Sequence, residues 1–551
     1  MSIYVNQLGY LPSSRKIAIS TRPCNFQIIR VSDQVSVFDG SVHEKTVDSV
    51  SGDNTYRIDF TELTEPGQYY VLAGNNGKSP TFTIGQNVYD KLQTDLLKCF
   101  YYQRCGTELK GEHAGRYTHP ACHTKDAILL KDYLNKTENP KTYEVKGGWH
   151  DAGDFGRYTT AGAVAVAHML YAYELYPESF NSSSNIPESG NGIPDILNEC
   201  RYELEWLFKM QTKDGGVYHK LTAFNHAPFI MPQDDHDQFI LFPVSSFAVA
   251  DFTAVMALAS RIYRKFDENF ANRCLDAALK SLEWLKANPY RDFKNPPGCN
   301  TGGYYDDADI DERLWAAAEL LRADKSHRNE YVAKVTELTN DFVTKTEFGW
   351  MDVSGFAAMS ILTDPEHSVG MLEAHYKNVI EKEASRLLSL LKSSGYLLAL
   401  ESKDFCWGSN MVVANRAILF ILAAKICDEK TGDKFLEGAM DHLHYLLGRN
   451  ALGISYITGE GENAYSHPHN RSTECDGIDE PMPGWVSGGP LEKLLDSAIK
   501  AAVPEGTPPM KCYVDDSGSY SSNEITIYWN SPVVFMCACF NRPDSDFKPN
   551  R

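Results

Sequence analysis

The hydrophobic rhythm of the chain changes once. Through residue 86, apolar and polar positions alternate in short runs such as KIAIS, FQIIRVS, YRIDF, QYYVLAG and PTFTIG, each closed by Gly, Pro, Asn or Asp. A period of two punctuated by turn formers predicts a small antiparallel β-sandwich over residues 1–86. From Val88 the period lengthens to that of a helix, first in YDKLQTDLLKCFYYQRC. About twelve amphipathic helical segments follow, including GRYTTAGAVAVAHMLYAYELY, PDILNECRYELEWLFKMQ, ADIDERLWAAAELLRA and ANRAILFILAAKICDE, separated by Gly- and Pro-rich loops. Residues 87–545 therefore read as an all-α body. Almost no linker separates the two parts, so they are expected to pack together. Helices in up-down succession can close into a ring of hairpins with a groove at one end, or form a bundle or solenoid, and pattern alone does not choose. No repeat of 30 to 50 residues is visible, which argues against a helical-repeat scaffold.

Composition narrows the partners. The 551 residues are 43% apolar and 23% charged, a globular balance in a chain long enough for more than one core. A formal charge of -20 disfavours nucleic acid or an anionic membrane surface. No run of 18 or more apolar residues is present to cross a bilayer. The start MSIYVNQLGYLPSSRK lacks the apolar stretch of an export signal, and 13 scattered cysteines suit reduced thiols. A cytoplasmic location is expected, although a secreted chain already trimmed of its leader would read the same.

Three stretches hold candidate chemistry. In GGWHDAGDFGRY, Asp151 and Asp154 stand three apart in a loop ahead of a long helix, close enough to face one water or one metal ion. A helix N-cap pair would also explain them. In YVDDSGSYSSNEITIYWNSP, Glu524 lies among aromatic and β-branched residues, where apolar walls would favour a protonated carboxyl; a surface glutamate is the alternative. Asp515 can bond a neighbouring loop or a sugar hydroxyl, and Tyr528 and Trp529 can stack on a pyranose or fill the core. In GENAYSHPHNR, His469 and Arg471 follow a proline, which predicts an extended loop whose donors grip hydroxyls or staple the loop.

Together these stretches resemble glycoside hydrolase family 9, the cellulase family of endoglucanases, cellobiohydrolases, cellodextrinases and some exo-β-glucosaminidases. GGWHDAGDFGRY is similar to the family's aspartate loop, SYITGEGENAYSHPHNR to its His-x-Arg signature, and YVDDSGSYSSNEITIYWNS to its Asp and Glu signature. NGIPDILNECRYELEW, DGGVYHK, DIDERLWAAAEL, FCWGSN and YLLGRNALGISY add to the likeness, and the VNQLGY start resembles the immunoglobulin-like module that precedes many members. The resemblance implies an (α/α)6-barrel catalytic domain preceded by a small all-β sandwich, and hydrolysis with inversion. It implies Asp154 as general base, Glu524 as general acid and Asp151 as helper in holding the water. His469, Arg471 and Asp515 carry over as active-site residues, and Trp407 as a stacking platform. An inverting pair should stand roughly 6.5 to 9.5 Å apart, leaving room for water.

Cys105, Cys122, His123 and His150 lie in the loops leading to the aspartates and are chemically suited to tetrahedral zinc, though not at zinc-finger spacing. Relatives with the same YYQRCG and HPACHTKD stretches carry a structural zinc, which the resemblance extends to this chain. Buried thiols with loop histidines remain the alternative. Calcium is also common in the family, but MPQDDHDQ reads as a solvated acidic loop rather than a calcium site. No organic cofactor is required. The expected substrate is a β-1,4-glucan or its oligomers, with a cellodextrinase-like activity first, chitosan oligomers cut by an exo-β-glucosaminidase second, and a non-catalytic sugar binder third. Oligomeric state is not legible.

Overall fold

The computed structural model describes residues 2–74, 77–341, 345–367 and 369–541; the expected domain end at 545 lies outside them. Two compact units are present. One comprises Met1–Cys99, Glu381–His469 and Ile478–Arg551, the other Phe100–Ile380 and Asn470–Gly477.

In the first unit the alternating runs form two facing sheets. Strands Ile3–Tyr4, Ile17–Ser20, Asn54–Asp59 and Thr46–Val47 pair in that order. The other sheet runs Gly9–Tyr10, Phe82–Ile84, Gly67–Ala73, Cys24–Arg30, Ser36–Val42, with Gly77–Lys78 added beside Gly67–Ala73. Inward-pointing Phe26, Ile28, Tyr69, Val71, Phe82 and Ile84 make the core between them. One pairing departs from the antiparallel expectation: Phe82–Ile84 runs parallel to Gly9–Tyr10. Backbones approach closely there, because a Cβ on Gly9 would fall 1.7 Å from the Thr83 carbonyl oxygen. The sandwich docks on helical segments of its own unit. Gln7 N–H donates to the Leu447 carbonyl at 2.9 Å, Gly395 N–H to Asp48 at 2.7 Å, and Arg57 to the Ser394 carbonyl at 2.7 Å.

The last sandwich strand ends at Ile84 and the first helix, Asp90–Tyr102, begins six residues later. The helices are of two kinds. Asp195–Met210, Glu268–Ala287 and Glu429–Leu446 bury one face, as amphipathic patterning predicts. Thr159–Leu175, Ser246–Tyr263, Ser409–Ile426 and Ile527–Phe540 are buried nearly all round, so their sequences are apolar on every side rather than amphipathic. Ser246–Tyr263 and Ser409–Ile426 reach the length and apolarity of a membrane span, yet 94% and 72% of their residues are inside the protein. In the second unit Ser246–Tyr263 is the hub, packing on Thr159–Leu175, Glu268–Ala287 and Ile310–Ala323.

The second unit is not wholly helical. Arg157–Tyr158, Lys220–Thr222, Ile240–Leu241 and Ile128–Leu129 form a four-stranded sheet. Strands of two or three residues are too short for alternation to announce. This sheet carries the aspartate loop.

Candidate active site and metal centre

Residues 147–156 are laced at every level. Glu199 and Glu203, one turn apart on Asp195–Met210, reach Trp149: Glu203 accepts its backbone N–H at 2.6 Å and Glu199 its indole N–H at 2.8 Å. Arg104 forks onto Glu199 and Glu188. Burial pushes the Glu203 carboxyl up to about 8. Gln103 accepts from His150 N–H at 2.8 Å and donates to the Ala152 carbonyl at 2.9 Å. Gly148 sits at φ +75°, where a Cβ would meet the Trp206 ring at 2.7 Å, so this glycine is a packing requirement.

Neither aspartate caps the following helix. Tyr158 is the N-cap of Thr159–Leu175 and makes no side-chain cap bond. Asp154 is buried, and its Oδ2 accepts from Gly156 N–H at 3.1 Å and the Tyr158 hydroxyl at 3.3 Å. Its third neighbour is His226 Nδ1, also at 3.3 Å. Burial alone would raise the Asp154 carboxyl; His226, Arg471 and the Gly156 N–H outweigh it and hold the group well below the ordinary carboxylate range. Asp151 goes the other way. Burial and the Asp154 charge push it well above its usual value, while the Tyr304 hydroxyl donates to Oδ2. Its Oδ1 is buried with no hydrogen-bond partner among the described residues. Burial and local charge thus push two carboxyls three residues apart in opposite directions, Asp154 toward the ionised form and Asp151 toward the protonated one.

Arg471 does not sit in an extended loop. Asn470 caps a short helix, Arg471–Cys475, by accepting from Thr473 N–H at 2.9 Å, and an Asn N-cap is sufficient to start a turn one residue beyond the proline's reach. The guanidinium donates to the Gly153 carbonyl at 2.7 Å and the Ala227 carbonyl at 2.8 Å, which ties it to the backbone beside Asp154.

Cys105, Cys122, His123 and His150 are buried together, with one ligand atom from each within 4.8 Å of all the others. Cys105 Sγ to His123 Nδ1 is 3.6 Å, Cys122 Sγ to His150 Nε2 is 3.8 Å, and His150 Nε2 to His123 Nδ1 is 3.2 Å. The edges of a tetrahedron with zinc-like bond lengths are roughly 3.6 Å for S···N and 3.3 Å for N···N, so the donor set fits. His123 Nε2 lies 3.3 Å from Asp235, a buried residue of the MPQDDHDQ loop. That loop is therefore not simply solvated acid: Asp235 orients His123, one of the four candidate ligands.

The other candidates lie in the first unit. Glu524 is half-buried between buried Asn523 and Ile525. Its carbonyl accepts Gly488 N–H at 2.9 Å, and the Asn523 carbonyl accepts His469 N–H at 2.9 Å. Asp496 prepares the segment, accepting from Ser521 N–H at 3.0 Å and the Ser519 hydroxyl at 2.9 Å. Asp515 accepts from Ser466 and His467 N–H, each at 2.8 Å, and from the Asn523 amide at 3.0 Å, so it staples loops. His469 Nδ1 lies 2.6 Å from the Ser517 carbonyl. Trp407 is 47% exposed with its ring 5.3 Å from that of Tyr520, itself 37% exposed and 6.3 Å from the His469 ring. Trp529 and Tyr528 are buried, Trp529 beneath Gly408, and fill the core rather than present a platform.

Sequence reasoning missed Tyr158, His226, Tyr304, Asp235 and Tyr520. Asp235 lies in MPQDDHDQ, which reads as an acidic loop, and nothing in that stretch says which loop it meets. It also missed Asp251, a buried carboxyl whose oxygens have no hydrogen-bond partner among the described residues, and buried Glu312, which bonds Asp311; burial pushes Asp251 and Glu312 well up.

The glycosyl hydrolase family 9 model matches residues 89–537, and the cellulase N-terminal ig-like domain matches residues 1–78. The chain is 41% identical to a cellodextrinase of Butyrivibrio fibrisolvens, covering 97% of this chain and 98% of that one. Among solved structures it is similar to a single mutant of a thermostable endoglucanase from Alicyclobacillus acidocaldarius, with a TM-score of 0.89, 35% identity and 98% and 99% of the two chains covered. A Zn-binding triple mutant of the family 9 endoglucanase J30 also matches at a TM-score of 0.89, with 31% identity over 97% and 99% of the chains.

Proposed function

The chain belongs to glycosyl hydrolase family 9, with its (α/α)6-barrel catalytic fold behind an immunoglobulin-like sandwich, and we propose that it is an inverting cellodextrinase. Hydrolysis of β-1,4-glucans follows from the family and its cellodextrinase and endoglucanase relatives. The proposed domain division is 1–86 and 87–545. The observation that carries the mechanism is the setting of the aspartate pair: Asp154 Oδ2 is held by Gly156 N–H, the Tyr158 hydroxyl and His226, while the buried Asp151 Oδ1, three residues away, has no partner among the described residues.

In the proposed reaction Asp154 takes a proton from water attacking the anomeric carbon, on the face opposite the departing sugar. Asp151 holds that water through its unpartnered Oδ1, and Glu524 protonates the leaving oxygen. Trp407 with Tyr520 offers an exposed aromatic surface to a pyranose, and His469 lies beside it. Asp515 and Arg471 act by fixing loops, since their polar atoms are engaged with backbone. The test is hydrolysis of cellotetraose followed by proton NMR. The first-formed product is α-configured and cellotetraose is cut in preference to the chitosan tetramer; β product overturns inversion, and preference for chitosan favours the glucosaminidase.

The pH dependence follows from His226. Removing it withdraws the largest influence favouring the Asp154 anion, so His226→Gln raises that group's pKa. The acid limb of kcat/KM then moves to higher pH by about one unit.

The metal proposed at Cys105, Cys122, His123 and His150 is zinc, and its part is to brace the loop that ends in Asp151 and Asp154. It takes no step in the chemistry. Freshly purified protein should carry one zinc per chain, and stripping it should lower Tm by about 5 °C or more together with activity. Calcium, the other metal raised by the family, is assigned no ligands: Asp235 of MPQDDHDQ is engaged with His123. No organic cofactor has a role.

A further inference from the structure

Lysine is rarely buried without a carboxylate partner, because removing an ammonium from water is costly. Lys220 is fully buried in the strand Lys220–Thr222, paired with Tyr158. Its ammonium is caged by neutral oxygens of one loop, donating to Asn295 Oδ1 at 2.8 Å, Thr301 Oγ1 at 2.9 Å and the Gly302 carbonyl at 2.7 Å. The Phe242 ring closes the cage at 4.3 Å. Packing alone would be served better by an apolar side chain.

The caged loop reaches the aspartate pair by three routes. Gly302 N–H donates to the Tyr158 hydroxyl at 2.9 Å, and that hydroxyl donates to Asp154 at 3.3 Å. Asn300 Oδ1 accepts His226 N–H at 2.8 Å, placing the ring that faces Asp154. Tyr304 donates to Asp151. We propose that Lys220 is a positioning residue for catalysis: its ammonium clamps loop 295–304, and the loop sets Tyr158, His226 and Tyr304 around Asp154 and Asp151. This rests on the assignment of Asp154 as base.

The groups facing the ammonium are the Cys299 thiol at 4.0 Å, the Asp154 carboxylate at longer range, and the rings of Tyr158, Phe242 and Phe293. Neighbouring His219 is stacked on Phe293, lies 2.8 Å from the Gly303 carbonyl through Nε2, and is pushed down to about 3 by burial. Burial lowers Lys220 to about 8, partly offset by Cys299 and Asp154. The clamp is therefore engaged below that pH and loosens above it.

The test uses the whole chain in two variants. Lys220→Met keeps the stem's packing and removes the donors. Its kcat on cellotetraose should fall about 100-fold with KM within about threefold, the mark of misplaced catalytic groups rather than lost binding. Hydrogen-exchange protection of the 295–304 peptide should fall about tenfold while the sandwich strands and the zinc content stay unchanged. Asn295→Asp sets a carboxylate against the ammonium, so the pH at which 295–304 loses protection should rise by about one unit. A Lys220→Met enzyme with wild-type kcat or wild-type protection of the loop overturns the inference. If that variant does not fold, an unmoved transition in Asn295→Asp overturns it instead. Activity in Asp154→Ala would remove the base assignment without altering loop protection, so the two failures read out separately.

Discussion

Asp154→Ala lowers kcat on cellotetraose by about 10³-fold or more, the range of a lost general base in a site that has no substitute. The next carboxyl, Asp151, is pushed toward its protonated form by burial and by the very charge the substitution removes, and the Tyr304 hydroxyl donates to it. Deleting Asp154 lets Asp151 ionise more readily, yet its position belongs to orientation of the water. The fold should survive. Asp154 caps no helix, and its only backbone bond is from Gly156 N–H, so Tm should stay within about 4 °C. Azide, an anion small enough for the water's place, should restore turnover and yield an α-glycosyl azide. Wild-type kcat, or azide rescue giving a β product, removes Asp154 from the role.

What the sequence disclosed and what it hid follow from range. The sandwich was legible because its alternation is local, and the three signatures because each is contiguous. The surroundings of Asp154 and Asp151 were not, because they are assembled from Tyr158, His226 and Tyr304, the last of which stands 153 positions from Asp151. The four-stranded sheet beneath it has strands too short to show a period. Thr159–Leu175 and Ile527–Phe540 read as amphipathic or merely apolar from their residues, and only their complete burial explains the missing polar face. The group of Cys105, Cys122, His123 and His150 was recoverable as a candidate metal site because ligand chemistry is specific even when spacing is not. Asp235 was misjudged for the opposite reason: a run of acids reads as solvated until a buried histidine is found facing one of them.

Glu524→Gln separates acid catalysis from every structural role, because its effect should depend on the leaving group. The amide keeps the carboxyl's size and its place between Asn523 and Ile525, and the Gly488 contact is to the backbone carbonyl, which the substitution leaves intact. The segment itself is held by Asp496 and by Asp515 through Asn523, so Tm should barely move. On cellotetraose, whose departing sugar hydroxyl needs a proton, kcat should fall about 10³-fold or more. On a 2,4-dinitrophenyl cellobioside the leaving phenolate departs without protonation, so the loss should be about tenfold or less. The basic limb of the pH profile should also vanish for the aryl substrate, since no proton donor remains to be titrated. Equal losses on the two substrates would mean that Glu524 positions the sugar rather than protonates it. A large loss confined to cellotetraose, with the α product still formed from the aryl glycoside, would assign the proton to Glu524 and the water to Asp154 in one experiment.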